Sequence, residues 1–413
     1  NFIGNSAGYC NTTGTDNNFL GNVAGYCNTT GGNNNFFGPS AGRLNTTGSD
    51  NNFFGNSAGC LNTTGSSNNF LGNLAGRCNT TGGCNNFFGQ SAGYCNTTGC
   101  FNNFLGQSAG LSNTTGTHNN FFGAFAGYCN TTGGNNNFLG NSAGRCNTTG
   151  GFNNFFGFGA GSSNTTGSSN NFFGPSAGGC NTTGTDNNFF GNSAGCSNTT
   201  GSSNNFFGPS AGRSNTSGGF NNFLGQSAGL SNTTGNYNNF LGFSAGCNNT
   251  AGSNNLAFGR NAGQTTGTPS GLINLTTSSN CIVMGNADHS CAAIQVAWTV
   301  ISDIRDKCVY GDVPHGRGFL QNINPIKYSF KNRETNEVTD ERVRYGFSAQ
   351  EVAELEGDET IIASKSNIDK WGVTHEHLLP VLVNAIKELD VENQELKERL
   401  SSLEEKVNSL LNN

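Results

Sequence analysis

"NNFFGNSAGCLNTTGSS", residues 51–67, is one copy of a phrase that fills more than half of this 413-residue chain. Its NFFG tetrapeptide at 52–55 recurs 17 residues later as NFLG at 69–72, and no insertion breaks this spacing from Asn1 onwards. Fifteen full units occupy residues 1–255, and a degenerate sixteenth, "LAFGRNAGQTTG", follows at 256–267. A short fixed period of this kind predicts a repeat architecture.

The unit, numbered from Asn1, reads N-F-F/L-G-x-S-A-G-x-x-N-T-T-G-x-x-N. Glycines at positions 4, 8 and 14 mark turns, and the pieces between them are long enough only for short strands. One such unit cannot bury its own apolar side chains, whereas stacked units cover one another. The sequence therefore predicts a mainly β chain in which residues 1–267 form a β-solenoid of about 16 coils. At about 4.8 Å per coil, the shaft would be roughly 75 Å long.

Two adjacent apolar positions define the strand of each unit. Position 2 is Phe in nearly every unit, and position 3 is Phe or Leu. Neighbouring residues on a strand point to opposite faces, so both faces of this strand are apolar. One face can fill the interior of the coil, while the other needs a second covering surface, for which neighbouring chains of an oligomer are the simplest source. The alternative is a thick monomeric roll with both columns in its core.

The variable positions indicate where the solvent lies. Position 9 carries mostly Tyr or Arg, and positions 15 and 16 include Asp, His and many Ser or Gly. Residues 1–267 hold five Arg, three Asp and neither Lys nor Glu, which leaves fourteen of the nineteen basic residues and twenty-two of the twenty-five acidic residues for the remainder. This shift in composition predicts a domain boundary near residue 268.

Composition argues against several classes of function. A formal net charge of −6 gives no basic surface for nucleic acid, and no apolar run is long enough for membrane insertion. No C-x-x-C pair or histidine cluster predicts a metal site, and no cofactor is expected. A glycoside hydrolase site in residues 1–267 would need paired acids that the repeat lacks. The chain opens on Asn1 without Met or a signal peptide, which predicts that it is a piece of a longer protein.

Twelve of the fifteen cysteines lie in the repeats. Three pairs occupy position 10 of successive units, where stacked Cα atoms near 5 Å apart would fall within the disulfide range. The same column elsewhere holds Ser or Leu, so a small half-buried side chain explains these cysteines without bonds. We expect free thiols, consistent with assembly in a reducing cytoplasm. The pairs are Cys10/Cys27, Cys78/Cys95 and Cys129/Cys146.

Asn-Thr-Thr at positions 11–13 is formally an N-glycosylation sequon in almost every unit. Acceptors about 5 Å apart on stacked coils would be too crowded for a glycan on each. We favour a hydrogen-bonded ladder of Asn side chains and keep glycosylation, or an ice- or saccharide-binding Thr array, as alternatives. The first candidate acceptors are Asn11, Asn28, Asn45 and Asn62.

The chain beyond the repeats has a different style. Four blocks in it are "VAWTVISDIRDK" at 296–307, "HGRGFLQNINPIKYSFK" at 315–331, "RYGFSAQEVAELEG" at 344–357 and "HLLPVLVNAIKEL" at 377–389. In this order and spacing they resemble the self-cleaving intramolecular chaperone domain of phage tail spikes and tail fibres, as in the endosialidases. The resemblance covers residues 298–413. It implies a small α+β domain at 298–380 that forms a homotrimer, helps a β-rich fibre to fold and then cuts itself off at a Ser-Asp junction.

The resemblance further implies a serine nucleophile and a lysine five residues later, which map onto Ser302 and Lys307, with cleavage between Ser302 and Asp303. A serine hydroxyl attacks when a base takes its proton, and lysine accepts that proton only in its neutral form, which burial favours. This sequence departs from the family at Asp306, where a neutral residue is common. The Asp306 carboxylate stabilises charged lysine and is expected to slow cleavage. Without the surrounding blocks, Ser302-Asp303 would be a helix N-cap with an acidic first turn.

The last segment, 381–413, has apolar residues that alternate three and four apart, which predicts a parallel coiled coil. Asn393 takes one core position, where a buried amide sets register at a cost in stability. Glu392 with Lys397, and Arg399 with Glu404, are suitable pairs flanking the core of parallel chains. The predicted core consists of Ile386, Leu389, Asn393, Leu396, Leu400, Leu403, Val407 and Leu410.

Residues 268–297 are expected to form a β neck, with short β-like runs at 282–284 and 293–296. The leading functional hypothesis is a structural and adhesive homotrimeric virion fibre, assembled in the host cytoplasm, that contacts a host cell-surface receptor, for instance a glycan. Its only enzymatic reaction would be self-proteolysis, once per chain. The alternative is an extracellular N-glycosylated fibril that retains a trimerisation domain.

Overall fold

The computed structural model describes residues 1–264, 275–286, 302–333, 335–338, 341–358, 360–365 and 371–412. The chain divides into two compact units, 1–289 and 290–413.

The first unit is a β-solenoid in which each repeat contributes one short strand. Every strand pairs in parallel with its neighbours in sequence, in a single seventeen-stranded sheet. Partners stand 17 residues apart, as Phe53 and Phe70 do. This arrangement confirms the predicted solenoid with one coil per 17 residues. Strands β1–β17 are Phe2–Ile3, Asn18–Leu20, Asn35–Phe37, Asn52–Phe54, Asn69–Leu71, Asn86–Phe88, Asn103–Leu105, Asn120–Phe122, Asn137–Leu139, Asn154–Phe156, Asn171–Phe173, Asn188–Phe190, Asn205–Phe207, Asn222–Leu224, Asn239–Leu241, Leu256–Phe258 and Ile282–Met284.

The interior of the solenoid is a column of position-2 phenylalanines with position-7 alanines. Phe53 and Phe70 are fully buried, and their rings stack with centroids 4.8 Å apart. The ring of Phe53 packs over Gly59, whose φ is +54° and where a Cβ would lie 2.4 Å from the ring. Glycine at position 8 therefore serves both the left-handed turn and the close approach of the ring.

Positions 6 and 16 of the repeats also take left-handed backbone, here without glycine. Ser57 and Ser67 have φ values of 55° and 58°, and even Phe101 and Phe152 have 60° and 59°. Such a backbone costs a non-glycine residue about 1–2 kcal/mol. Hydrogen bonds between stacked rungs stabilise this left-handed backbone, because the N–H of each position-16 residue donates to a carbonyl oxygen of the preceding rung. Phe152, for example, donates to the Gly134 carbonyl at 3.1 Å.

The solenoid sheet continues beyond residue 267, where the 17-residue period ends. β17 pairs in register with β16, although 26 residues separate the partners Ala257 and Val283. The residues before β17 make the contacts of an ordinary rung: Thr250 Oγ1 donates to the Thr276 carbonyl at 2.8 Å. The segment "TTSSNCIVMG" at 276–285 thus reproduces the Thr-Thr turn and strand of the repeat. The second predicted run of the neck, 293–296, lies outside the described residues.

The second unit is a small α+β domain with a long terminal helix, as predicted. A core of Val352, Ala353, Ile362, Leu378 and Val381 joins α2 and the β20–β21 pair to the first turns of α3. The β18–β19 and β20–β21 pairs are antiparallel. The elements are a 3-10 helix at Ile304–Asp306, α1 at Arg317–Asn322, β18 at Pro325–Tyr328, β19 at Arg344–Phe347, α2 at Ala349–Glu356, β20 at Ala363–Ser364, β21 at Gly372–Val373, a 3-10 helix at His375–His377 and α3 at Leu378–Leu411.

Candidate functional site

The 3-10 helix at Ile304–Asp306 brings the two residues of the predicted Ser-Lys pair together. Its single turn closes when the Lys307 N–H donates to the Ile304 carbonyl at 3.2 Å. The Lys307 side chain then reaches back, and its Nζ donates a hydrogen bond to Ser302 Oγ. Because the five residues from Ser302 to Lys307 fold into one tight turn, the lysine amine lies in hydrogen-bonding contact with the serine hydroxyl. This contact is the one that a lysine base needs with a serine nucleophile.

Asp303 is held by a residue that the sequence did not single out. Its Oδ1 accepts from the Arg305 backbone N–H at 2.9 Å, which caps the 3-10 helix, and from Arg305 Nε at 3.0 Å. The hydrogen bonds from Arg305 lower the pKa of the Asp303 carboxyl, and the carboxylate raises the pKa of the Arg305 guanidinium. Asp303, and not Ser302, is therefore the N-cap residue of the 3-10 helix, whereas the Ser302 hydroxyl accepts a hydrogen bond from Lys307. The short Asp-x-Arg spacing was the available signal for this pair.

The Ser302–Lys307 pair lies open to solvent in the single chain. Both residues are exposed, and so are apolar side chains close by in sequence. Ile304 and Val309 are about two-thirds exposed, and Tyr310 is 95% exposed. The chemistry requires a neutral amine, which burial favours, and the single chain leaves this pair uncovered.

Hydrogen bonds tie the segment that follows the pair to the terminal helix. Asn384 Nδ2 donates to the carbonyl oxygens of Val313 at 3.0 Å and His315 at 3.3 Å. The Arg317 backbone N–H donates to Glu388 Oε2 at 2.7 Å, and its guanidinium contacts Glu392. The path from Lys307 to α3 therefore runs through only a few residues of loop.

Helix α3 carries the predicted coiled-coil residues on its surface. Its first turns bury Leu378, Val381 and Ala385 in the domain core. Beyond them the predicted core positions are all exposed, from Ile386 to Leu410. The helix is present and its apolar stripe is uncovered in the single chain, so the coiled coil itself remains a prediction.

The Asn column of the Asn-Thr-Thr ladder is buried, in keeping with the favoured interpretation and against the glycosylation alternative. Asn28, Asn45 and Asn62 have no solvent exposure. Asn62 Nδ2 donates to Asn45 Oδ1 at 2.7 Å and to the Gly65 carbonyl at 2.9 Å, and the same pair of bonds repeats along the column. Asn11 is half-buried, and its Nδ2 donates to the Gly14 carbonyl at 3.0 Å. A glycan on Asn28, Asn45 or Asn62 would displace a hydrogen bond of the buried ladder, so the folded solenoid is incompatible with glycosylation at these three residues.

The described residues contain no group of side chains that could hold a metal ion and no helix long and apolar enough to cross a membrane. The fourteen cysteines in the described part of the chain are free. Burial raises the pKa of several of these thiols, among them the buried Cys60 and the partly buried Cys247. Such thiols are poor nucleophiles, in keeping with a packing role.

Residues 302–360 match the model of the chaperone of endosialidase family. The match begins at Ser302, the serine that contacts Lys307, and it confirms the resemblance inferred from the sequence blocks. The comparisons with curated proteins and with solved structures gave no match. A β-solenoid followed by this chaperone domain indicates a tail-fibre-like protein, and the family implies self-association as a trimer.

Proposed function

We propose that this protein is a trimeric fibre of a phage tail appendage whose C-terminal domain drives assembly and then cleaves itself between Ser302 and Asp303. The contact between Lys307 Nζ and Ser302 Oγ, at the start of the matched domain, carries the proposal. The solenoid supplies length and a stiff shaft, and the C-terminal unit supplies the means of bringing three shafts together. Contact with a host receptor falls to the solvent-facing variable positions, since the position-2 Phe column and the position-11 and position-17 Asn columns are buried.

The proposed reaction is hydrolysis of one peptide bond. Neutral Lys307 takes the proton of Ser302 Oγ, the oxygen bonds to the carbonyl carbon of Ser302 itself and closes a four-membered lactone, and the bond from that carbon to the Asp303 nitrogen breaks as the nitrogen takes the proton from the lysine. Water then cleaves the ester and restores the hydroxyl. The products are a carboxylate at Ser302 and an amine at Asp303, with one water consumed.

Assembly is the step that would activate the pair. Ser302 and Lys307 are both exposed in one chain. The exposed Ile304, Val309 and Tyr310 form an apolar surface that a second chain could cover. Covering it would desolvate the Lys307 amine and favour its neutral form. Cleavage would then report that the chains have packed correctly.

The test is denaturing electrophoresis and mass spectrometry of the refolded protein with Ser302→Ala and Lys307→Met variants. Wild type is expected to give two fragments, 1–302 and 303–413, because Ser302 and Lys307 form the reacting pair. Both variants are expected to give one full-length band while assembling as wild type does. Lys327→Met, which removes an exposed amine from strand β18, is the matched control and should cleave normally. Cleavage of Ser302→Ala at the wild-type rate would overturn the assignment, and an uncleaved wild-type trimer would leave only the assembly role.

A further inference from the structure

The outer face of the solenoid sheet carries a continuous apolar stripe formed by position 3 of every rung. Its seventeen side chains are all Phe, Leu, Ile or Met. Nine are 36–41% exposed and three more than half exposed, whereas the position-2 rings from Phe19 to Phe240 are buried. The stripe consists of Ile3, Leu20, Phe37, Phe54, Leu71, Phe88, Leu105, Phe122, Leu139, Phe156, Phe173, Phe190, Phe207, Leu224, Leu241, Phe258 and Met284.

We propose that this stripe is the interface along which the solenoids of separate copies of this chain pack side by side. The inference rests on the proposed function for its stoichiometry, but its observations belong to the solenoid alone.

The exposed area of the stripe is large enough for a stable interface. A Phe or Leu side chain that offers about a third of roughly 200 Å² leaves about 60 Å² open, so the seventeen together expose about 1,000 Å². A specific interface buries about 800 Å² per partner, and the largest apolar patch on an ordinary monomer is about 300–600 Å². A stripe of this size in water favours association.

The polar groups beside the stripe are already paired, which lowers the cost of covering it. Position-1 asparagines lie on the same face of the strand and form their own ladder: Asn52 Nδ2 donates to Asn69 Oδ1 at 2.7 Å, and Asn69 Nδ2 donates to Asn86 Oδ1 at the same distance. Burying a polar group is costly chiefly when its hydrogen bonds are lost. The repeats lack Lys and Glu, and their three acids stand at position 16, four arginines at position 9 and Arg260 at position 5, so no charged residue belongs to the strand at positions 1–3.

The regular spacing of the side chains in the stripe indicates which partner covers it. Its side chains rise one rung at a time, with stacked rings 4.7–4.8 Å apart, as in Phe173–Phe190 and Phe190–Phe207. A partner that fits all seventeen rungs must present apolar groups at the same spacing over the same length. A second copy of this chain presents apolar groups at this spacing and over this length, because it has the same repeats. Its stripe carries no charge that would repel the stripe of the first copy.

The test is hydroxyl-radical footprinting of the assembled full-length protein, with native mass measured on the same sample. Phe54, Phe88 and Phe122 in the stripe are expected to be oxidised several-fold less than Phe152, which is exposed at position 16. Buried Phe53 marks full protection. The triple variant Leu71→Lys, Leu105→Lys, Leu139→Lys should expose the stripe phenylalanines between these rungs. The control Thr64→Lys, Thr98→Lys, Thr132→Lys, at exposed position 13 of the repeat, should leave them protected.

The oxidation of Phe70 and Phe104 shows whether the coils of each variant are folded, because both rings are buried and stay protected as long as the coils are intact. A trimer whose stripe phenylalanines react as fast as Phe152 would overturn this inference while leaving C-terminal assembly intact. A protected stripe in a dimer would support it and contradict the trimer. A protected stripe in a single chain would overturn it, since the chain would then cover its own stripe.

Discussion

At the scale of single residues, the position-11 Asn amide makes hydrogen bonds both within its own coil and to neighbouring coils. Asn113 is fully buried, its Nδ2 donates to Asn96 Oδ1 at 2.8 Å and to the Gly116 carbonyl at 3.1 Å, and its Oδ1 accepts from Asn130 at 2.7 Å. It therefore closes the turn of its own coil and bonds to the coils before and after it. The repetition of Asn at position 11 follows from this, because a ladder works only if each rung carries the same group.

Replacing one ladder amide should loosen its rung. Asn113→Leu leaves Asn96 Oδ1 without its donor, at a cost of about 1–3 kcal/mol for that buried unpaired group. The Gly116 carbonyl loses one of its two donors and keeps the bond from Asn102 Nδ2 at 2.9 Å. A long repeat array does not unfold in two states, so the measurement is amide hydrogen exchange of residues 103–133. We expect exchange to rise there and to stay normal in distant rungs. Thr115→Leu, at an exposed site in the same turn, should change little, and unchanged exchange in Asn113→Leu would show that the ladder is not structural.

At the scale of elements, sequence predicts the strand and the turn but not every conformation within them. The period, the Phe column and the glycine turns are visible in one line of sequence, because stacking forces the same residue types to recur. The positive φ at Phe152 is not, because an aromatic residue usually avoids that region and only the rung beneath it imposes the backbone. Likewise, both strand faces are apolar, and only the structure assigns position 2 to the interior and position 3 to the outside.

Helix α3 provides the element-scale test of trimer assembly. Leu400 is more than half exposed in the single chain and stands at a predicted core position. Leu400→Glu would bring three carboxylates together in the core of a trimeric coil, where unpaired charge is strongly destabilising. Sedimentation should then show loss of the trimer. Ser402→Glu adds the same charge to α3 outside the predicted coiled-coil core and should leave the trimer intact. A trimer that survives Leu400→Glu would place the association elsewhere than α3.

At the scale of the whole chain, a uniform repeat has a weakness that its C-terminal unit would correct. Neighbouring rungs differ so little that two solenoids displaced by 17 residues would make nearly the same contacts, and an exposed apolar stripe invites such misalignment. An assembly domain joined to one end of each chain fixes the register for all rungs. This is the physical reason to expect a chaperone next to a long, uncharged repeat.

The candidate site shows where sequence reasoning stops. The blocks around Ser302 and Lys307 were enough to predict the pair, and the structure places the two side chains in contact. The Asp303–Arg305 pair and the extra rung at β17 were not predicted, because the first depends on a local turn and the second interrupts the 17-residue period with a longer spacing. Desolvation of Lys307 would come from neighbouring chains of the proposed trimer, whose packing depends on folded surfaces and not on a local motif.

The native mass of the assembled full-length protein, measured alongside its mass under denaturing conditions, tests the central claim most directly. The account predicts three copies of the 43.0 kDa chain before cleavage and, once cleavage is complete, a trimer of residues 1–302 in native solution with a separate 303–413 fragment in the denatured sample. The Ser302→Ala protein should remain three full-length chains. A monomer or a dimer as the stable native species would contradict the claim that the C-terminal domain assembles three solenoids.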